Sequence, residues 1–311
     1  MSDVVTVNHA PTAKQSGQVV KALEASANRV DWANHLFKYL FMLSAFIGVF
    51  SVGLIGYFLI KEGMPALSYA GVTNFVFGME WVPPVLFGIA PMIVASLISA
   101  LGAVVIGVPV ALLTAIFLAE VAPKRVADVV RPAVELLAGI PSVVYGFFGL
   151  VIIVPMVEKV FNIPAGNTLM AAIIVLAVMI LPTVIAISET ALRAVPRSYK
   201  EGSLALGASP MFTIFKVLLP AARSGILAGV VLGIARAIGE TMAIIMVMGN
   251  SPAMPRHLLD SARSLTANIA MEMAYATGLH SSALYTTGIV LLVFVMVLNA
   301  TLLYLNREKA R

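Results

Sequence analysis

The chain has 311 residues, 60% of them apolar and 11% charged, with a mean hydropathy of +0.99 and a formal net charge of +5. A soluble domain carries about a quarter charged residues, so this chain lacks the polar surface to cover a globule and reads as one dissolved in a bilayer. The absence of cysteine excludes a disulfide framework, a thiolate metal site and a cysteine nucleophile. The excess positive charge sits beside apolar runs rather than on one amphipathic face, which argues for span-flanking charge rather than nucleic-acid binding.

Residues 1–36 are polar and include Lys14, Lys21 and Arg29. They lack the short apolar core and small-residue cleavage site of a signal peptide. They are expected to form a disordered cytoplasmic tail that turns amphipathic near Asp31–Lys38. Six apolar segments follow, each near or above the ~20 residues that a helix needs to cross a bilayer. They run over Phe37–Ile60, Phe87–Leu118, Val126–Met156, Thr168–Ile187, Ile226–Met248 and Ala283–Leu305. A first helix with its external loop is thus expected over 37–86, a transmembrane domain over 87–306 and a short cytoplasmic tail over 307–311.

The connections alternate in charge. The tail before the first span, the link after the second (Lys124, Arg125, Arg131) and the link after the fourth (Arg193, Arg197, Lys200, Lys216, Arg223) are basic. The others are close to neutral. Basic loops stay in the cytoplasm, so both termini are expected there. The third segment is interrupted by Gly139-Ile140-Pro141-Ser142 and Tyr145-Gly146. Pro141, Ser142 and Tyr145 therefore mark a broken or re-entrant helix, either lining a path or forming a packed kink.

Arg236 and Glu240 lie inside the fifth segment. An ionised side chain at the bilayer centre costs about 2.5–3.5 kcal/mol on insertion scales. Spacing of i,i+4 on a helix puts the two within reach of each other. They are candidates for an anion path in which the substrate competes with Glu240 for Arg236, or else a buried pair that fixes packing. Gly225, Gly229 and Gly233 precede them at four-residue intervals and are expected to form a packing seam that lets another helix approach closely. On this reading Arg236 and Glu240 continue roughly the same protein-facing side.

The link between spans four and five is longer than a connector requires. Pro196 suits a helix start, and Gly207 followed by Pro210 suits its end. A short exposed helix is therefore expected, with an apolar run, Phe212–Leu219, ending at Pro220. Within it Glu201, Gly202, Ser203, Gly207, Val217, Leu219 and Pro220 resemble the signature loop of ABC importer permeases. That loop has a glutamate, two small residues, three free positions, a glycine, nine free positions, an aliphatic residue, one free position and Leu-Pro. The resemblance implies an all-α polytopic membrane protein of the type I ABC importer permease fold. It has about six transmembrane helices, and this loop is the coupling helix docking to an ATPase subunit.

A narrower resemblance covers most of the chain. Glu135–Gly146 and Arg236–Ala243 are similar to phosphate-importer permeases, and Trp81, Pro83, Phe87 and Gly88 are more similar to the PstC type than to the PstA type. The resemblance implies a channel-forming subunit in the bacterial cytoplasmic (inner) membrane. Its implied partners are a second, PstA-type permease, a dimer of ATP-binding cassette ATPases and a phosphate-binding protein. No Gly-Lys pair, and so no phosphate-cradling Gly-x-x-x-x-Gly-Lys loop, occurs in the chain. ATP and Mg are accordingly expected on the partner and no cofactor or metal in this chain. The four histidines, His9, His35, His257 and His280, form no metal motif. Ser142 has no base nearby in sequence for acyl-enzyme chemistry, so the chain is not expected to be an enzyme. Rival readings are a permease for sulfate or molybdate and a proton-coupled secondary transporter using Glu240.

Overall fold

The structure is a computed structural model that describes the backbone of residues 13–308 and the side chains of residues 34–300 other than Leu298. The described residues are overwhelmingly helical. Contacts divide the chain into two units, 1–58 and 59–311.

Helix α1 spans Ala13–Ala70 and runs through both units. Of the tail expected to be disordered, residues 1–12 lie outside the described residues, and the rest is helical from Ala13. The physical reason is composition: Ala, Lys, Gln and Glu dominate residues 13–25, all good helix formers. The apolar part, Asn34–Ala70, has 37 residues. At 1.5 Å per residue it is about 55 Å long, well beyond the hydrocarbon core. In the first unit its apolar side chains from Leu36 to Phe58 are exposed on this chain, as a lipid-facing helix requires.

The second unit holds the core. After α1 come a short helix α2 (Val72–Phe77) and a hairpin of β1 (Trp81–Val82) and β2 (Leu86–Phe87), antiparallel, with Trp81 opposite Phe87. Helix α3 (Ala90–Ile116) packs along α7 (Leu169–Arg193), the most buried span. Gly102 and Gly107 let Ile173 and Ile180 approach it: a Cβ at either would meet these side chains at 2.8 to 3.0 Å. A stripe of glycines on α11 (Arg223–Gly239) meets α7 farther along, toward its C-terminal end. Gly225 faces Ala191, Gly229 faces Ile187 and Gly233 faces Val184. Ala237, 1% exposed, continues this stripe.

The third apolar segment differs from expectation. Residues Lys124–Gly139 form a separate helix, α4, and the span is Ser142–Phe161, comprising α5 (Ser142–Phe148), a π-helical turn (Gly149–Ile153) and α6 (Val154–Phe161). Five charges between Lys124 and Glu135 make α4 too polar to cross. Pro141 forces its predecessor out of helical geometry, and Ile140 sits at φ −68°, ψ 129°. The fifth segment also differs. Pro210–Ala221, built of α9 (Pro210–Thr213), a π-helical turn and α10 (Leu219–Ala221), meets α11 at a 71° bend. Helix α11 stops at Gly239, and α12 (Met242–Val247) is a separate short helix. Among the described residues the membrane-length helices number five, or six with the bent pair counted as one span.

Three π-helical turns, Phe117–Val121, Gly149–Ile153 and Ile214–Leu218, each end two residues before a proline: Pro123, Pro155 and Pro220. Proline has no N–H and its ring clashes with the carbonyl four residues earlier. A wider turn at that place relieves the clash. The chain ends in α13 (Leu265–Glu272) and α14 (Leu279–Glu308). Of the expected tail, 307–308 continue α14, and 309–311 lie outside the described residues.

Candidate functional site

The exposed helix between spans four and five exists as α8, Arg197–Ala205. Pro196 precedes it in extended geometry, and its end closes as a Schellman motif. The Gly207 amide donates to the Leu204 carbonyl at 3.0 Å and the Ala208 amide to the Ser203 carbonyl at 3.2 Å. This closure places Gly207 at φ +86°, where L side chains are strained. No α8 residue is buried, and Leu206 is 91% exposed. Tyr199, Gly202, Leu206, Phe212 and Val217 line a surface hollow of about 740 Å³. The Ser203 and Thr213 hydroxyls are hydrogen-bonded at 2.9 Å, fastening α8 to the segment after it. Ile214 and Leu218 of that segment are buried with Ile116, Leu192 and Ile226, against the ends of α3 and α7. Val217 and Leu219 are half-buried and Pro220 is exposed. Leu219 packs on the buried Ile214 and Leu218, which form the anchor, Val217 lines the hollow, and Glu201, Gly202 and Gly207 lie on the free surface.

A cluster of charges braces this end of the bundle. Glu189 on α7 accepts from Arg131 Nε of α4 at 2.6 Å and from Arg193 Nε at 2.8 Å. Both arginines also donate to the Leu118 carbonyl, at 3.3 and 2.8 Å. Lys200 of α8 pairs with Glu120 at 2.5 Å.

Two chain breaks each precede one of a pair of packed short helices. One lies between α4 and α5, at Ile140-Pro141, and the other between α11 and α12, at Glu240-Thr241. Helices α5 and α12 pack together, with Gly146 so close to Ala243 that a Cβ would stand 2.7 Å from its Cα. The Tyr145 hydroxyl donates to the Leu137 carbonyl at 2.7 Å, an oxygen that also accepts from the Ile140 amide at 3.2 Å, tying α5 to the end of α4. Pro141 is exposed and Ser142 half-buried at the start of α5. Arg236 is half-buried and interacts electrostatically with Tyr145.

Residues 107–311 match the family described as the binding-protein-dependent transport system inner membrane component. The chain belongs to this family. Among curated relatives of this inner membrane component, the probable ABC transporter permease protein YqgH of Bacillus subtilis is 39% identical over 259 residues, 81% of this chain and 84% of that protein. The phosphate transport system permease protein PstC of Pasteurella multocida is 33% identical over 313 residues, 91% of this chain and 96% of that protein. Solved structures share its fold. The bacterial alginate ABC transporter in complex with a pentasaccharide-bound periplasmic protein aligns with TM-score 0.61 at 15% identity, over 91% of this chain and 96% of the other. An inward-facing MetNI methionine ABC transporter aligns with TM-score 0.55 at 24% identity, over 72% and 95%. The inner membrane component thus has the all-α fold of type I ABC importer permeases.

The expected Arg236–Glu240 pair is not formed. The helix ends at Gly239, and the Glu240 carboxylate is taken up by the start of α12 rather than by Arg236. Glu240 is 8% exposed, and its carboxylate accepts from the Ala243 amide at 3.0 Å, capping α12, while Thr266 donates to its carbonyl at 2.7 Å. Among the described residues Arg236 forms no ion pair.

Two groupings escape the sequence. One is the Arg131–Glu189–Arg193 brace. The other lies at the far end of the bundle, where Glu272 accepts from Trp81 Nε1 at 2.8 Å and Arg263 at 2.5 Å and contacts His280 Nε2 at 2.8 Å. Arg263 also bonds the Asn250 carbonyl and the Asn268 amide oxygen. The available signal is modest: polar residues next to apolar runs, some of whose partners lie 58 or 191 positions away.

Proposed function

We propose that this inner membrane component is the channel-forming permease subunit of an ATP-driven phosphate importer, of the PstC type. The observation that carries the substrate is the likeness to phosphate transport permease PstC over nearly the full length of both chains. The exposed α8 with its buried anchor supports coupling to an ATPase. The subunit pairs with a PstA-type permease. A phosphate-binding protein delivers the anion at the end carrying the β1–β2 hairpin, and an ATPase dimer docks at the α8 end, which faces the cytoplasm with both termini. ATP and Mg bound to that dimer supply the energy.

This chain's own residues do the rest. Leu206, Gly207 and Tyr199 present a protruding surface to the ATPase. The Ile214/Leu218 anchor passes motion of α8 to α3 and α7. Phosphate passes the two chain breaks, where Arg236 offers positive charge not neutralised by a carboxylate and Ser142 offers a hydroxyl. Glu240 holds α12 in place and is not the anion's competitor. The domain limits follow the same scheme, with the transmembrane domain over 87–306 serving as the conducting part.

Uptake of labelled phosphate into vesicles containing the assembled complex tests the proposal. ATP-dependent uptake that excess sulfate or molybdate does not suppress is expected. Uptake driven by a proton gradient alone would replace it with the secondary-transporter reading, and suppression by sulfate or molybdate would reassign the substrate.

A further inference from the structure

The surroundings of α8 are asymmetric. On one side it rests against the segment after it, through the Ser203–Thr213 hydrogen bond. On the other side a hollow of about 470 Å³ separates it from the ends of α3 and α7, bounded by Ala119, Leu192, Pro196, Leu204 and Leu218. Across this hollow a single charged contact reaches the turn that continues α3: Lys200 Nζ to Glu120 Oε2 at 2.5 Å. It is the only ion pair α8 forms among the described residues. The Glu120 side chain is 11% exposed and that of Lys200 46%, so the contact is anchored at the α3 end and open at the α8 end.

Glu120 belongs to the π-helical turn Phe117–Val121. The same turn offers the Leu118 carbonyl to Arg131 and Arg193, which converge on Glu189. The turn is therefore tied to α4 and α7 through Leu118 and to α8 through Glu120. Where a hollow intervenes, packing cannot pass a displacement, since dispersion contacts fall away within about an ångström of separation. A hydrogen-bonded ion pair can, because it weakens once its heavy atoms part beyond about 3.2 Å. Movement of α8 away from the bundle must either break the pair or draw the inner end of α3 with it.

We infer that Lys200 and Glu120 form a strut that transmits displacement of α8 to the end of α3, making Glu120 a positioning residue for coupling ATP hydrolysis to transport. The inference rests on the reading of α8 as the ATPase-docking helix. The strut and the Ile214/Leu218 anchor are two separate links to the bundle. Loss of the strut leaves docking intact and wastes hydrolysis. A merely structural contact would alter assembly or thermal stability and leave the ratio of solute moved to ATP hydrolysed unchanged.

The test measures phosphate uptake and ATP hydrolysis together in vesicles containing the full complex. Glu120→Gln is expected to co-purify with the ATPase in normal amount, to keep hydrolysis within about twofold and to lower uptake per ATP by about fivefold or more, the lower end of usual coupling strengths. The charge exchange Glu120→Lys with Lys200→Glu is expected to recover most of that ratio. An unchanged ratio in Glu120→Gln, or an exchange no better than Glu120→Lys alone, overturns the strut. Uptake by the unmodified complex that needs no ATP overturns the importer reading itself and is distinguished by that control.

Discussion

Gly207 offers the sharpest test of how the docking helix is built. It closes α8 at φ +86°, and no atom lies within 4 Å of where a Cβ would stand. A substitution in the free subunit is therefore penalised through the backbone alone. Holding an L residue in the left-handed region costs about 1–2 kcal/mol, and about 1.4 kcal/mol corresponds to tenfold in an equilibrium. If the ATPase binds the closed form of the helix end, Gly207→Ala weakens docking by about 5- to 30-fold on that conversion. Gly207→Val is weaker still, because a β-branched residue tolerates positive φ least. Gly207→Asn, though larger than alanine, loses less, because asparagine visits this region readily. The assay is titration of the purified ATPase onto the permease pair in nanodiscs, with binding read at equilibrium. The order glycine, asparagine, alanine, valine is expected. An order set by side-chain size, with asparagine worse than alanine, would refute the backbone argument and assign the loss to a clash with the partner. Equal binding by all four would remove Gly207 from docking.

Other perturbations probe the remaining parts. Arg236→Gln is expected to abolish phosphate uptake while the complex assembles normally; undiminished uptake limits Arg236 to a structural role. At Gly233 a Cβ would stand 2.9 Å from Val184 Cγ2, so Gly233→Leu overpacks the α7–α11 seam at a cost of about 1–3 kcal/mol, read as a lowered unfolding midpoint in detergent. Glu272→Ala leaves Arg263 without its carboxylate in a site where the glutamate is 7% exposed. The expected loss is about 3–5 kcal/mol, with increased hydrogen exchange in the β1–β2 hairpin as the second readout. Asp260 accepts backbone N–H bonds from His257 at 2.9 Å and Arg256 at 2.8 Å. These bonds, His257 first, hold its carboxyl below the usual 3.8. A lowered folded value means that the stabilisation is complete above the ordinary aspartate value and is lost only as pH falls through the lower folded one. Titration of the Asp260 side chain by NMR should give a midpoint under 3.8, and a midpoint at or above that value counts against the hydrogen-bonded loop.

Much of the candidate docking region is legible from residue order because its causes are local. Pro196 and Gly207 bracket α8 through backbone restrictions that act within one or two residues. Spacing of four puts Gly225, Gly229 and Gly233 on one side of a helix whatever the partner is. The break at Ile140-Pro141 follows from proline's effect on its predecessor. The third span was nevertheless misplaced over Val126–Met156, since apolar residues on one face of α4 mimic a span when read without its charges. The fifth was misjudged for a subtler reason. Nothing in Arg236-Ala237-Ile238-Gly239-Glu240 forbids a continuous helix, and the break is set where α12 packs against α5 and Glu240 turns to cap it.

Composition and short-range backbone chemistry by themselves determined that this chain lives in a membrane and where its exposed helix starts and stops. Only the tertiary structure decided which charges meet. Glu120 finds Lys200 across 80 positions and Glu272 finds Trp81 across 191. Apolar periodicity records which side of a helix is buried, and it carries no information about which buried side lies opposite or at what height two helices cross. Those quantities arise when α3 and α11 pack onto α7 through their glycines, and the polar partners follow from that packing.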